Sequence, residues 1–103
     1  MKRIVALDLP EQALGAAAAF HVRILPLVRH AAEEDIVILF AAADHTHEGW
    51  RRAAVQELAR EAAPCRVNAI AGGDAASTEL ICAYLEKAPG VTGQVLAADA
   101  LSS

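Results

Sequence analysis

Apolar residues fall into four short continuous runs, Arg3–Leu9, Asp35–Ala42, Arg66–Ala71 and Gln94–Ala98, separated by longer stretches of helical periodicity. Continuous rather than alternating runs predict strands buried on both faces, the condition of a parallel sheet. The first helical stretch, Pro10 to about Glu34, opens with Pro10 and Glu11 in a first turn, and its Ala/Leu pattern should be kinked or split at Pro26. The second runs from Thr46 or Glu48 to Ala63, with Trp50, Ala54, Leu58 and Ala62 on one face and Pro64 as its stop. The third spans Ser77 to Lys87, with Ser77 as N-cap and Pro89-Gly90 as terminator. The order β-α-β-α-β-α-β predicts an α/β, Rossmann-like three-layer domain with a short parallel sheet of about four strands joined by right-handed crossovers. Residues 1–103 read as a single domain without linker or repeat, and only Leu101-Ser102-Ser103 reads as a ragged end.

Composition then narrows the function. Aromatic residues are limited to Phe20, Phe40, Trp50 and Tyr84, so the core has to be built from Ala, Val, Leu and Ile. The formal net charge is −4, and no cluster of Lys and Arg is dense enough to follow a phosphate backbone, which argues against nucleic acid as a partner. Arg51, Arg52 and Arg60 alternate with Glu48, Glu57 and Glu61 as on a solvated helix face. The apolar segment Ala13–Val28 contains His21 and Arg23 and falls short of the roughly 20 residues of a membrane span, so no membrane association is expected. Asp8 interrupts the apolar run that follows Met1-Lys2-Arg3, unlike a signal peptide. Cys65 and Cys82 have neither CxxC nor metal spacing and read as reduced thiols of a cytoplasmic protein.

The most polar cluster is Asp44-His45-Thr46-His47-Glu48, on the loop after the second strand. Sites in open parallel sheets form beyond the carboxyl ends of strands. Imidazole and carboxylate are competent metal ligands, so Asp44, His45, His47 and Glu48, with Asp74 after Gly72-Gly73, form a candidate polar site. The competing reading is a solvated loop in which Asp44 or Thr46 caps the helix containing Trp50. Cys65 as a nucleophile beside His45 or His47 is a weaker idea, because buried inert thiols are commoner. His21 and His30, on the long first helix, read as packing or solvent-facing. No metal is assigned.

Two motifs carry a family resemblance. The segment Ala54–Pro64 followed by Arg66-Val67-Asn68-Ala69-Ile70-Ala71, together with Val91-Thr92-Gly93-Gln94-Val95-Leu96, is similar to the helix, strand and final strand of the second half of short-chain dehydrogenases/reductases. Phe20–Ala31 and Ile36–Phe40 resemble, more weakly, the helix and strand that precede them. The resemblance implies a Rossmann-type fold in which the two longer helices share one face of the sheet and Ser77–Lys87 alone covers the other. It also implies NAD(P) chemistry using a Tyr, a Lys four residues later and a Ser on the preceding strand, with an Asn in support.

The chain departs from that chemistry. Aligning Ala53-Ala54-Val55 with the family pattern sets Glu48 at the Tyr position and Arg52 at the Lys position, and the Ser position falls among Ala41, Ala42 and Ala43. Arg stays protonated and Glu ionises about six units below Tyr, so the pair is no direct substitute. Arg3–Leu9 is followed by Pro10 and Glu11 rather than a Gly-rich phosphate turn. Gly72-Gly73 reads as a flexible strand-to-helix turn, and Ser77 and Thr78, where the family contacts nicotinamide, read as a helix cap. No catalytic residue and no cofactor are therefore assigned, NAD(P) being implied by family alone. The resulting expectation is a degenerate, non-catalytic relative acting as a homodimer or homotetramer, or in a hetero-complex with a full-length relative. The rival expectation is an enzyme or small-molecule binder, with or without a metal, using the Asp44–Glu48 loop. A residual dinucleotide-binding oxidoreductase ranks third.

Overall fold

The computed structural model describes residues 1–31 and 33–98; Leu101–Ser103 lie outside the described residues. Strands β1 (Lys2–Ala6), β2 (Ile36–Phe40), β3 (Val67–Ala71) and β4 (Val95–Ala97) form one fully parallel sheet whose spatial order is the order of the sequence. Helices α1 (Ala13–Arg23) and α2 (Leu25–Ala31) connect β1 to β2, α3 (Glu48–Ala62) connects β2 to β3, and α4 (Ala75–Glu86) connects β3 to β4.

Because strand side chains alternate between faces, each central strand feeds two cores. Ile36, Ile38 and Phe40 of β2, with Ile4, Ala6, Val67 and Ala69, pack under Phe20, Ile24 and Val28 and under Val55 and Leu58 of α3. Val37 and Ile70 point the other way, against Ile81, Cys82 and Leu85 of α4. The helices thus divide between the faces as the resemblance implied, and this corrects the expectation of uniformly right-handed crossovers. The strands advance in one direction, so a connection through α4 on the opposite face has the opposite hand to those through α1–α2 and α3. The reason is burial: Val37 and Ile70 need cover, and a crossover of the same hand would have laid α4 on the face already filled.

Element boundaries differ locally from the sequence expectation. The first helix begins at Ala13 rather than Pro10, because Gln12 is the extended N-cap residue and the Glu11 carbonyl is taken up by the His47 side chain. Pro26 divides the helical stretch as expected: α1 ends at Arg23 with Ile24 as its C-cap, and Pro26 occupies the first turn of α2, where a missing N–H costs little. The first strand stops at Ala6, and Asp8 takes a positive φ of 59°. The cap of α4 is Asp74, not Ser77; Gly72 and Gly73, with φ of 73° and 80°, turn the chain so that the Asp74 carboxylate accepts the Ser77 N–H at 2.8 Å.

The two motifs of the resemblance are bound to each other. Asn68 Nδ2 donates to the Val91 carbonyl (3.0 Å), its Oδ1 accepts the Gln94 N–H (3.1 Å), and Thr92 Oγ1 accepts the Val67 N–H (3.2 Å). Arg66 extends this network at the same, amino-terminal end of β3, bonding the Asp35 carboxylate through its backbone N–H (2.8 Å) and Nε (3.0 Å), with Nη1 on the carbonyls of Leu85 and Ala88 at the end of α4. No helix among the described residues is long and apolar enough to cross a membrane.

Candidate functional site at the carboxyl end of the sheet

The polar loop leaves β2 at Phe40, runs through the exposed Ala41–Ala43 and turns at Asp44. The Asp44 carboxylate accepts from the backbone N–H of Thr46 (3.0 Å) and from its hydroxyl. These bonds, the hydroxyl's first, hold the Asp44 carboxyl below the usual carboxylate range. They close a 3₁₀ turn over His45–His47 that runs directly into α3.

His47 is only 5% exposed, and both of its ring nitrogens are occupied. Nε2 meets the Glu11 carbonyl at 2.8 Å, so it carries the proton and donates. Nδ1, left bare, accepts the indole N–H of Trp50 at 3.0 Å. The imidazole therefore ties the loop after β1 to the first turn of α3 and has no lone pair left for a metal. His45 is exposed, as is Glu48, and Asp74 caps α4 away from the cavities described below. The structure thus brings together Asp44, His47 and Glu48 but does not join Asp74 to them. Among the described residues no group of three or more His, Cys, Asp or Glu side chains could hold a metal ion. Cys65 is half-buried and Cys82 buried, both free. Burial pushes the Cys82 thiol pKa up, as in an inert thiol.

The residue that sequence reasoning missed is Arg51. Expected on a solvated face, it is 7% exposed. Its guanidinium lies over the Phe40 ring, 4.4 Å from the centroid, and 5.8 Å from that of Trp50. Phe20, Phe40 and Trp50 pack beneath with ring centroids 5.5 to 5.7 Å apart. Arg51 Nε is fully buried without a hydrogen-bond partner, and the ion pairs among the described residues all belong to other arginines. Loss of water lowers its pKa, although an arginine stays protonated all the same. A signal for this burial was in the sequence: Arg51 precedes Ala54, Val55 and Leu58 by three, four and seven residues, the spacing of one helix face.

Two adjoining cavities open around this loop. One, of about 280 Å³, is lined by Asp44, Glu48, Arg51, Arg52, Ala71 and Val95, among others. The second, of about 340 Å³, lies toward Asp8, Pro10 and Glu11 and shares Asp44, His47 and Arg51 with the first. Glu48 and Arg52, the positions matching the Tyr and Lys of the resemblance, line the first cavity; among the described residues they form no ion pair with each other. What the arrangement offers chemically is one fixed, unpaired guanidinium in a small pocket with two carboxylates at its rim. Among the described residues that line the two cavities there is no Tyr, Ser or Thr.

A family model described as "Short chain dehydrogenase-like protein" matches residues 4–98. No curated protein and no solved structure matched the chain.

Proposed function

Because the chain belongs to the short-chain dehydrogenase-like family, we propose that it is a non-catalytic member that acts by association, as a subunit built on a second copy of itself. Against hydride transfer stand Glu48 and Arg52 at the positions of the acid/base pair and Ala41–Ala43 where the family has its Ser. A carboxyl group with a guanidinium four residues on does not reproduce the phenol-and-amine pair that such proton transfer uses. A cytoplasmic location accords with the free thiols of Cys65 and Cys82.

The observation that carries the reading is the state of β1. It pairs with β2 on one side only, leaving an open backbone edge. On the α4 face of the sheet, but beyond the cover of α4 itself, Val5 is 52% and Leu7 46% exposed. Proteins guard such edges with charge or cover, and Arg3 has already given its charge to Glu79, 2.5 Å away. An antiparallel second copy centred on Ile4 would set Lys2 opposite Ala6 and Arg3 opposite Val5, keeping the whole of β1 in the ladder and extending the sheet across a two-fold axis.

Light scattering at micromolar concentration should give twice the 10.8 kDa chain mass. Val5→Lys, which sets like charges directly opposite each other in the pair, should give a folded monomer. A monomeric parent protein, or a Val5→Lys variant that stays dimeric, overturns the proposed association.

A further inference from the structure

Arg51 combines two properties that rarely coexist in a settled core: it is more than nine-tenths buried, and it has no hydrogen-bond or ion-pair partner among the described residues. Contact with the Phe40 face recovers part of the lost hydration. It does not supply the acceptors that a forked guanidinium needs. The side chain nevertheless lines both cavities at the carboxyl end of the sheet, where the ends of parallel strands leave room for ligands. A buried cation without a counter-ion, facing a cavity, is half of an ion pair.

We propose that Arg51 anchors a binding site for a small monocarboxylate with a short apolar body. The guanidinium fork matches a planar carboxylate, and its contact with the Phe40 face holds it in position for that ligand. Ala42, Ala43, Ala71, Val95 and Ala97 give the first cavity small apolar walls. Its volume of about 280 Å³ suits a molecule of a few carbons. Asp44 and Glu48 line the same cavity and, among the described residues, do not pair with Arg51; a phosphate dianion would meet about twice the repulsion from these carboxylates that a monocarboxylate meets. His47, with both nitrogens engaged, holds the Arg51 turn of α3 in place and takes no part in charge recognition.

Trp50, the only tryptophan of the chain, lies beside the guanidinium and reports on it. Butyrate is titrated into the protein at constant ionic strength against chloride, with Trp50 fluorescence as the readout. A saturable change with a midpoint below roughly 10 mM is expected. Arg51→Met should keep the fold, since an apolar side chain of similar size removes a buried charge, and should weaken butyrate binding at least about tenfold. Arg60→Met, on the exposed side of α3, should leave binding unchanged. If Arg51→Met does not fold, Arg51→Lys decides, because it keeps the charge and loses the fork. Failure of butyrate to saturate, unchanged affinity in a folded Arg51 variant, or tighter binding of inorganic phosphate than of butyrate overturns the proposal.

Discussion

Gly73 marks how tightly the turn after β3 is built. Its φ is +80°, and a Cβ at that position would come within 2.3 Å of the Ala98 side chain. Left-handed backbone and overpacking each cost on the order of 1–2 kcal/mol, so Gly73→Ala should lower the unfolding free energy by at least about 2 kcal/mol in a urea titration. Asp35 sets a second constraint, this one pH-dependent. The Arg66 backbone N–H, then its side chain, hold the Asp35 carboxyl below its ordinary range. The folded state therefore keeps this group ionised to lower pH than the unfolded chain does. Its stabilisation is complete above the unfolded pKa, near 3.9, and is lost as pH falls through the depressed folded value. Asp35→Asn should accordingly lower stability at neutral pH and flatten the acid limb of a plot of urea midpoint against pH. An acid limb as steep as that of the parent would assign acid sensitivity to other carboxylates. Arg51 shows why a single side chain can escape sequence reading. Its spacing set it on the buried face of α3, but the flanking Glu48, Arg52 and Glu57 outweighed that spacing, and charge alone argues for solvent.

At the level of elements, the strands and helices were legible because their apolar runs and periodicities were strong, while their ends were decided by individual hydrogen bonds. The Glu11 carbonyl taken by His47 delayed α1, and the Asp74 carboxylate took the capping role from Ser77, a choice that required the positive φ of Gly72 and Gly73. The His47 contact spans 36 residues and has no signature in local sequence, whereas Asp74 is itself a preferred cap residue, as legible in the sequence as Ser77. The likeness of two separated motifs to one family was legible as well, and its physical basis lies in Asn68. Buried on β3, it closes the loop before β4 with one donor and one acceptor bond. Asn68→Ala would leave the Gln94 N–H without its acceptor and the Val91 carbonyl with only the 3.5 Å contact of Arg66 Nη1, each lost bond worth about 1–3 kcal/mol when buried. The expected result is the loss of at least about 2 kcal/mol, with amide exchange accelerated first in β4. Thr92→Val removes a single acceptor and should cost about 1 kcal/mol.

For the molecule as a whole, the family is established by the match over residues 4–98, and the proposed absence of its chemistry rests on Glu48 and Arg52. Exchanging these two residues tests whether that absence goes beyond them. Glu48 and Arg52 are both exposed, so Glu48→Tyr with Arg52→Lys should fold with stability within about 0.5 kcal/mol of the parent. It should show no NAD(P)H-dependent reduction of carbonyl compounds, measured as loss of absorbance by the reduced nicotinamide. Activity in this double variant would mean that a cofactor site survives. The strand order has a further consequence, in time rather than in space. Each strand adds beside the one made just before it, and no later strand is inserted between two earlier ones. During synthesis, therefore, each strand after the first emerges when a neighbour it will pair with has already been made. Only α4 crosses to the far side, and it follows β1, β2 and β3 in the chain.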